Sequence, residues 1–238
     1  MQRDPYGYQV SFGPRVTPAV KYLIIANVAG FVMQLLTRDQ MLLIFGLVPS
    51  LVTGQFFLWQ LVTYLFLHGG VWHLVFNMFG LWMFGSELES RWGSAFFLRY
   101  YFVSGIGAGL LSVLVHPASA QVTIGASGAV YGILLAFGMM FPNRPLLLYF
   151  VIPIKAKYFV AGLGVLSFIS ALQAPGSSIA HLAHLGGMAF GFAYLKGWLS
   201  SGAWQRHYHA WRMARLRRRF QVYDRRRGRN DSDDYSVH

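Results

Sequence analysis

The chain has 238 residues, 55% of them hydrophobic and only 12% charged, with a formal net charge of +12 and no cysteine. Such a composition, with long stretches free of charge, excludes an ordinary soluble domain and marks a polytopic membrane protein. The lack of cysteine also excludes disulfides, thiolate metal sites and a thiol nucleophile.

A hydrocarbon core of about 30 Å needs roughly 20 apolar residues per helix. Six runs are read as spans: 18–37, 69–86, 95–115, 126–141, 157–172 and 181–199. The first follows "FGPRVTPAVKY" and has the length of a spanning helix, where a signal peptide has a short apolar core and a cleavage site; it is expected to be retained. Residues 38–68 are too apolar for a solvated loop and are interrupted by Pro49 and Gly54. They are expected to lie along or dip into the outer leaflet. With both termini on one side, 19 of the 20 Lys and Arg residues fall on inner segments, Arg38 being the exception. The positive-inside rule then puts the termini in the cytoplasm. The tail from Trp204 carries ten Arg, with Trp204, Tyr208 and Trp211 at helical spacing. It is expected to anchor on anionic headgroups of the bilayer, not on nucleic acid, and its end, "GRNDSDDYSVH", reads as disordered. The resulting division is a cytoplasmic arm at 1–17, a membrane domain at 18–199 and a basic cytoplasmic tail at 200–238.

Polar groups inside apolar runs are costly, so each needs a partner or a function. They cluster in "HGGVWHLVFN" (His68, His73, Asn77), "GASGAVY" (Ser127, Tyr131) and "AHLAHLGGMAFG" (His181, His184). The second, fourth and sixth spans all run from outside to inside in this topology, so the three clusters share one depth near the outer face. His73 and Asn77 lie at i, i+4 and therefore on one helical face, as do Ser127 and Tyr131. Gly187 and Gly191 form a smooth strip below His184, and Gly128 and Gly132 a matching strip below Ser127. Small residues at such spacing let helix backbones approach closely.

Ser127 alone reads as a helix N-cap or a packing residue. Beside His184 it reads as a nucleophile with its base, and Gly125 and Gly128 leave room for a substrate backbone. His73, Asn77 and the Ser127 N–H are the candidate oxyanion donors. All eight Asp and Glu residues lie outside the spans or at their inner ends, so a hydrolase here would use a Ser–His dyad, with Tyr131 packing on the imidazole. His181 and His184 form an HxxH without an acidic or sulfur partner, and no metal or cofactor is expected.

On "HGGVWHLVFNMFGLWMFGSELESRWG", "GASGAVYG" and "AHLAHLGGMAFG", in that order on the second, fourth and sixth spans, the sequence resembles the rhomboid family of intramembrane serine proteases. The resemblance implies an all-α, six-transmembrane-helix bundle with a membrane-embedded first outer loop. It implies Ser127 as nucleophile, His184 as general base and acid, and His73 and Asn77 at the oxyanion site. It also implies single-pass transmembrane proteins as substrates, cut near the outer face. Where many members carry Trp-Arg in the first loop, this chain has Trp59-Gln60, which puts that loop's usual hydrogen bonding in question. The alternative is a non-catalytic rhomboid-like scaffold that binds transmembrane segments. A bacterial plasma membrane is the expected location.

Overall fold

The computed structural model describes residues 13–37, 39–148, 152–173, 178–197 and Met213. By internal contacts the chain divides into a unit ending at Phe192 and a second from Ala193 onward. In the second, the described residues finish the last helix and turn at Gly197, whose N–H donates to Tyr194 O. The expected basic anchor from Trp204 onward lies outside the described residues, apart from Met213.

Helix α1, Pro18–Thr37, begins with a proline, which is harmless in a first helical turn because no intrahelical partner is lost. The next two free N–H groups, of Ala19 and Val20, donate to the Glu89 carboxylate at 2.8 and 2.9 Å. The first connection folds into α2 (Asp39–Phe45), α3 (Pro49–Gln55) and α4 (Gln60–Thr63), which runs into a 3₁₀ turn, Tyr64–Phe66. It is tied to the segment after residue 115 by a two-bond bridge between Leu47 and Thr123, and by Ser50 N–H donating to Ser119 O. Fully buried Gln60 is its clasp. Its Oε1 accepts from Val48 N–H at 3.0 Å, and its Nε2 donates to Leu43 O at 3.0 Å and Ile44 O at 3.3 Å. Trp59 Nε1 donates to the same Ile44 carbonyl. The Trp-Gln pair therefore closes this loop with an uncharged amide.

The chain bends by 100° between Gln60–Phe66 and Val71–Trp92. The second helix comprises α5 (Val71–Gly80), a single π turn (Leu81–Gly85) and α6 (Ser86–Trp92). Gly93, at φ +77°, is the one-residue link to α7 (Ser94–Val115), a left-handed conformation that favours glycine. Glu89 also accepts from Thr17 Oγ1 and from Ser94 Oγ, so one carboxylate joins the starts of α1 and α7. Helix α8, Ser127–Met140, is the buried centre, with ten of its fourteen residues out of solvent.

The expectation of an all-α chain is corrected between residues 145 and 155. Strands β1 (Pro145–Leu148) and β2 (Ile152–Lys155) pair antiparallel, with Pro145 opposite Lys155 and Leu148 opposite Ile152. Pro145 and Pro153 lack the N–H a helix interior needs, and the segment is too short to nucleate a helix without them. Helices α9 (Ala156–Gln173) and α10 (Ser178–Leu195) complete the chain.

Among the described residues, α1 and α7 are long and apolar enough to cross a membrane. The bent pair makes a third candidate, and α8 and α9 are shorter apolar helices. The helices coincide with the six apolar runs to within a few residues at most ends. The second is the exception: it continues to Trp92, because "SELESRW" is a good polar helix end beyond the apolar stretch.

Candidate active site

The N-terminus of α8 carries the central side chain. The helix starts at Ser127, with Ala126 at the cap position, so the Ser127 hydroxyl is not spent on capping. Its Oγ lies 2.9 Å from His184 Nε2 on α10. The Nδ1 of His184 is buried, with no hydrogen-bond partner among the described residues. In the neutral ring with Nδ1 protonated, Nε2 accepts from the Ser127 O–H. The Tyr131 ring, one turn below Ser127, stacks on the imidazole with centroids 4.1 Å apart and planes 4° from parallel. This face-on contact fixes the plane of the base, which no carboxylate among the described residues does.

The approach of α8 and α10 that makes this pairing possible depends on missing side chains. A Cβ on Gly187 would overlap Gly128 O, and one on Gly132 would sit 3.1 Å from Gly187 O. Gly128, Gly132 and Gly187 thus form the expected backbone-to-backbone seam. Gly132 also faces α7, where a Cβ would meet Ser104 Oγ at 2.5 Å, and so does Gly191. A Cβ on Gly191 would meet Tyr100 OH at 2.5 Å and Ser104 Oγ at 3.0 Å, so it serves contact with α7. The hydroxyl of Tyr100 also donates to Gly132 O at 2.6 Å, tying α7 to the same seam.

Gly125 has φ +123°, and a Cβ there would lie 2.8 Å from His73 Cε1 and 2.9 Å from His73 Nε2. Only glycine lets the imidazole edge come this close to the chain two residues before Ser127. His73 Nδ1 accepts from Gly69 N–H at 3.1 Å, which leaves Nε2 as the protonated nitrogen of the neutral ring. Beside it are the unpaired N–H groups that open any α-helix, here from Ser127 onward. Asn77 Nδ2 donates one of its two N–H groups to His73 O at 2.8 Å, and the residue is 5% exposed. It therefore braces the turn carrying His73. Gly69 was not legible as a site residue, because a backbone donor leaves no trace in side-chain identity.

His68 lies in the protein interior. It is fully buried, and its ring lies edge-on to His73 at 5.2 Å. His181 lies 6.0 Å from His184 ring to ring. Among the described residues no group of three His, Asp or Glu side chains converges as a metal site would require. Residues 174–177, which precede the helix carrying His184, lie outside the described residues, and Ser178–Ala180 begin α10.

The sequence pattern described as Rhomboid domain matches residues 55–201, well over half of the chain. Similar proteins include Rhomboid protein 1, mitochondrial, of Saccharomyces cerevisiae, 38% identical over 58% of this chain and 40% of its own length. RHOMBOID-like protein 1 of Arabidopsis thaliana is 37% identical over 60% of this chain and 35% of its own. Rhomboid protease GluP of Bacillus subtilis is 32% identical over 66% of this chain and 29% of its own. The matched stretch is thus well under half the length of each of these relatives. One is named as mitochondrial and another comes from a bacterium, so the expected bacterial plasma membrane gains no support from them. A domain match spanning the elements that carry Ser127, His73 and His184, together with apolar helices of membrane-crossing length, places this chain in the rhomboid family of membrane proteins.

Proposed function

We propose that this protein is an intramembrane serine endopeptidase that cleaves single-pass transmembrane proteins near the outer face through a Ser127–His184 dyad. The observation that carries the reading is the 2.9 Å approach of Ser127 Oγ to His184 Nε2, with the Tyr131 ring stacked behind the imidazole. In the reaction, Ser127 Oγ attacks the scissile carbonyl carbon while its proton passes to His184 Nε2. The resulting oxyanion is met by His73 Nε2–H, the second N–H of the Asn77 amide and the N–H groups opening α8 at Ser127. His184 then returns the proton to the leaving amine, and water hydrolyses the acyl-enzyme by the reverse sequence.

The proposed setting is six crossings over residues 18–199, with the 38–68 connection embedded in the outer leaflet and the arms at 1–17 and 200–238 on the cytoplasmic side. Helix α8 has fourteen residues, about 21 Å at 1.5 Å per residue, against a hydrocarbon core of about 30 Å. With its inner end at the cytoplasmic interface, Ser127 is sunk below the outer surface, and water reaches it by way of the half-exposed His73 and His184. The substrate helix must unwind locally to present an extended backbone at that depth.

The test is cleavage of a single-pass substrate by the purified chain in detergent. Ser127→Ala is expected to abolish cleavage and His184→Ala to lower the rate by ~10²–10⁴-fold, with both variants still folded. The wild-type rate falls in acid, because a protonated His184 cannot accept the serine proton. Undiminished cleavage in either variant overturns the dyad. Absence of cleavage across several substrates transfers the site to a scaffold that binds transmembrane segments without cutting them.

A further inference from the structure

Gln34 is a polar residue in the apolar run "GFVMQLL" of α1. Its amide makes two bonds to one other residue. Nε2 donates to His68 O at 2.7 Å, and Oε1 accepts from His68 N–H at 3.0 Å. Both backbone groups of His68 are thereby gripped, as a neighbouring strand would grip them. One turn earlier on the same face of α1, a Cβ on Gly30 would lie 2.6 Å from Phe66 O, so a missing side chain sets the distance over which Gln34 reaches. The peptide that follows His68 carries the Gly69 N–H, and this is the group that donates to His73 Nδ1.

We propose that Gln34 is a positioning residue for His73: by clamping the His68 backbone it aims the Gly69 N–H at His73 Nδ1 and so holds the ring with its proton on Nε2, facing the serine. A nitrogen that accepts a backbone N–H bears no proton, so the neutral ring carries its hydrogen on the opposite nitrogen. That nitrogen abuts Gly125, where a Cβ would lie 2.9 Å from it, two residues from Ser127. If the 68–70 segment drifts, Nδ1 loses its donor and the other tautomer becomes accessible. A lone pair on Nε2 would then face the developing oxyanion. The inference rests on the hydrolytic reading, since only a reaction that develops negative charge beside Ser127 makes the tautomer matter.

The experiment pairs a spectroscopic readout with kinetics. In the full chain labelled with ¹⁵N-histidine, the imidazole nitrogen shifts of His73, assigned by loss of its signals in His73→Ala, report the tautomer without any need for activity. The wild type is expected to hold a single tautomer protonated on Nε2, and Gln34→Leu a mixture. In cleavage assays Gln34→Leu is expected to lower kcat on the order of tenfold at unchanged KM, less than the ~10²–10³-fold lost with an oxyanion donor. The same substitution in a His73→Ala background is expected to cost nothing further. Gln34→Glu keeps the acceptor for His68 N–H, lacks the donor for His68 O, and gives an intermediate mixture if the clamp works as described. It also serves if Gln34→Leu does not fold. An unaltered tautomer in both variants, or an equal rate loss with and without His73, overturns the proposal. If the wild type cleaves nothing, the shifts alone decide it, and the failure then lies with the proteolytic reading.

Discussion

At the residue scale the site is economical in charged groups. The base has no carboxylate behind it, and what fixes its plane is the Tyr131 ring 4.1 Å away. A stacked aromatic pair is worth about 0.5–1.5 kcal/mol beyond its buried area. Tyr131→Phe keeps the ring and is expected to cleave at close to the wild-type rate. Tyr131→Leu loses it, and kcat is expected to fall roughly two- to tenfold, as 0.5–1.5 kcal/mol converts. Single-turnover kinetics separates this from altered substrate binding. Equal losses in the two variants would move the role from the ring face to the hydroxyl. The pairing of Ser127 with His184 was legible in the sequence because a serine among glycines and a histidine above a glycine strip leave few other uses for either. The engagement of Asn77 with its own helix was not, because an amide four residues after a histidine can turn either toward a substrate or back to the carbonyl at i−4.

At the scale of elements, two contacts decide whether the site exists. The α8–α10 seam is one. Gly187→Ala would drive a methyl group into Gly128 O, so the backbones must separate and carry His184 away from Ser127. The expected outcome is loss of cleavage with destabilisation of about 1–3 kcal/mol, read as a lower Tm in detergent. Gly164→Ala is the control, since its Cβ would meet only the Met188 side chain at 3.5 Å and beyond. The other contact is the Gln60 clasp. Gln60→Leu takes the side-chain partner from Val48 N–H and Leu43 O, while Ile44 O keeps Trp59 Nε1, at a cost of about 1–3 kcal/mol. Gln60→Arg, which would restore the residue common in the family's first loop, is expected to destabilise as well. Its guanidinium has donors for the carbonyls of Leu43 and Ile44 but no acceptor for Val48 N–H, and its charge would be fully buried. Thermal melts of the two variants check this, and a stabilised Gln60→Arg protein would refute it.

At the scale of the molecule, the helices were readable because apolar runs of membrane length have few alternatives, whereas the hairpin at 145–155 was not, since a short apolar run between prolines fits strand and helix alike. The contact of Gly132 and Gly191 with α7 was not legible for a related reason: a small residue announces close packing but not its partner, which depends on how three helices share one corner. The π turn at Leu81–Gly85 left no mark in the sequence either, and its effect is one of angular phase. Asn77 and Glu89 are twelve positions apart, so at about 100° per residue a regular helix would set them roughly 120° apart around its axis. One extra residue absorbed by a π turn brings this to roughly 20°. The residue bracing the His73 turn and the carboxylate joining α1 to α7 thus lie along one spine of a single helix. Deleting Met83 would restore an unbroken α-helix and rotate everything below it by about 100°. Glu89 would swing out of reach of Thr17, Ala19, Val20 and Ser94, and the deletion is expected to unfold the bundle at temperatures where Met83→Ala leaves it intact.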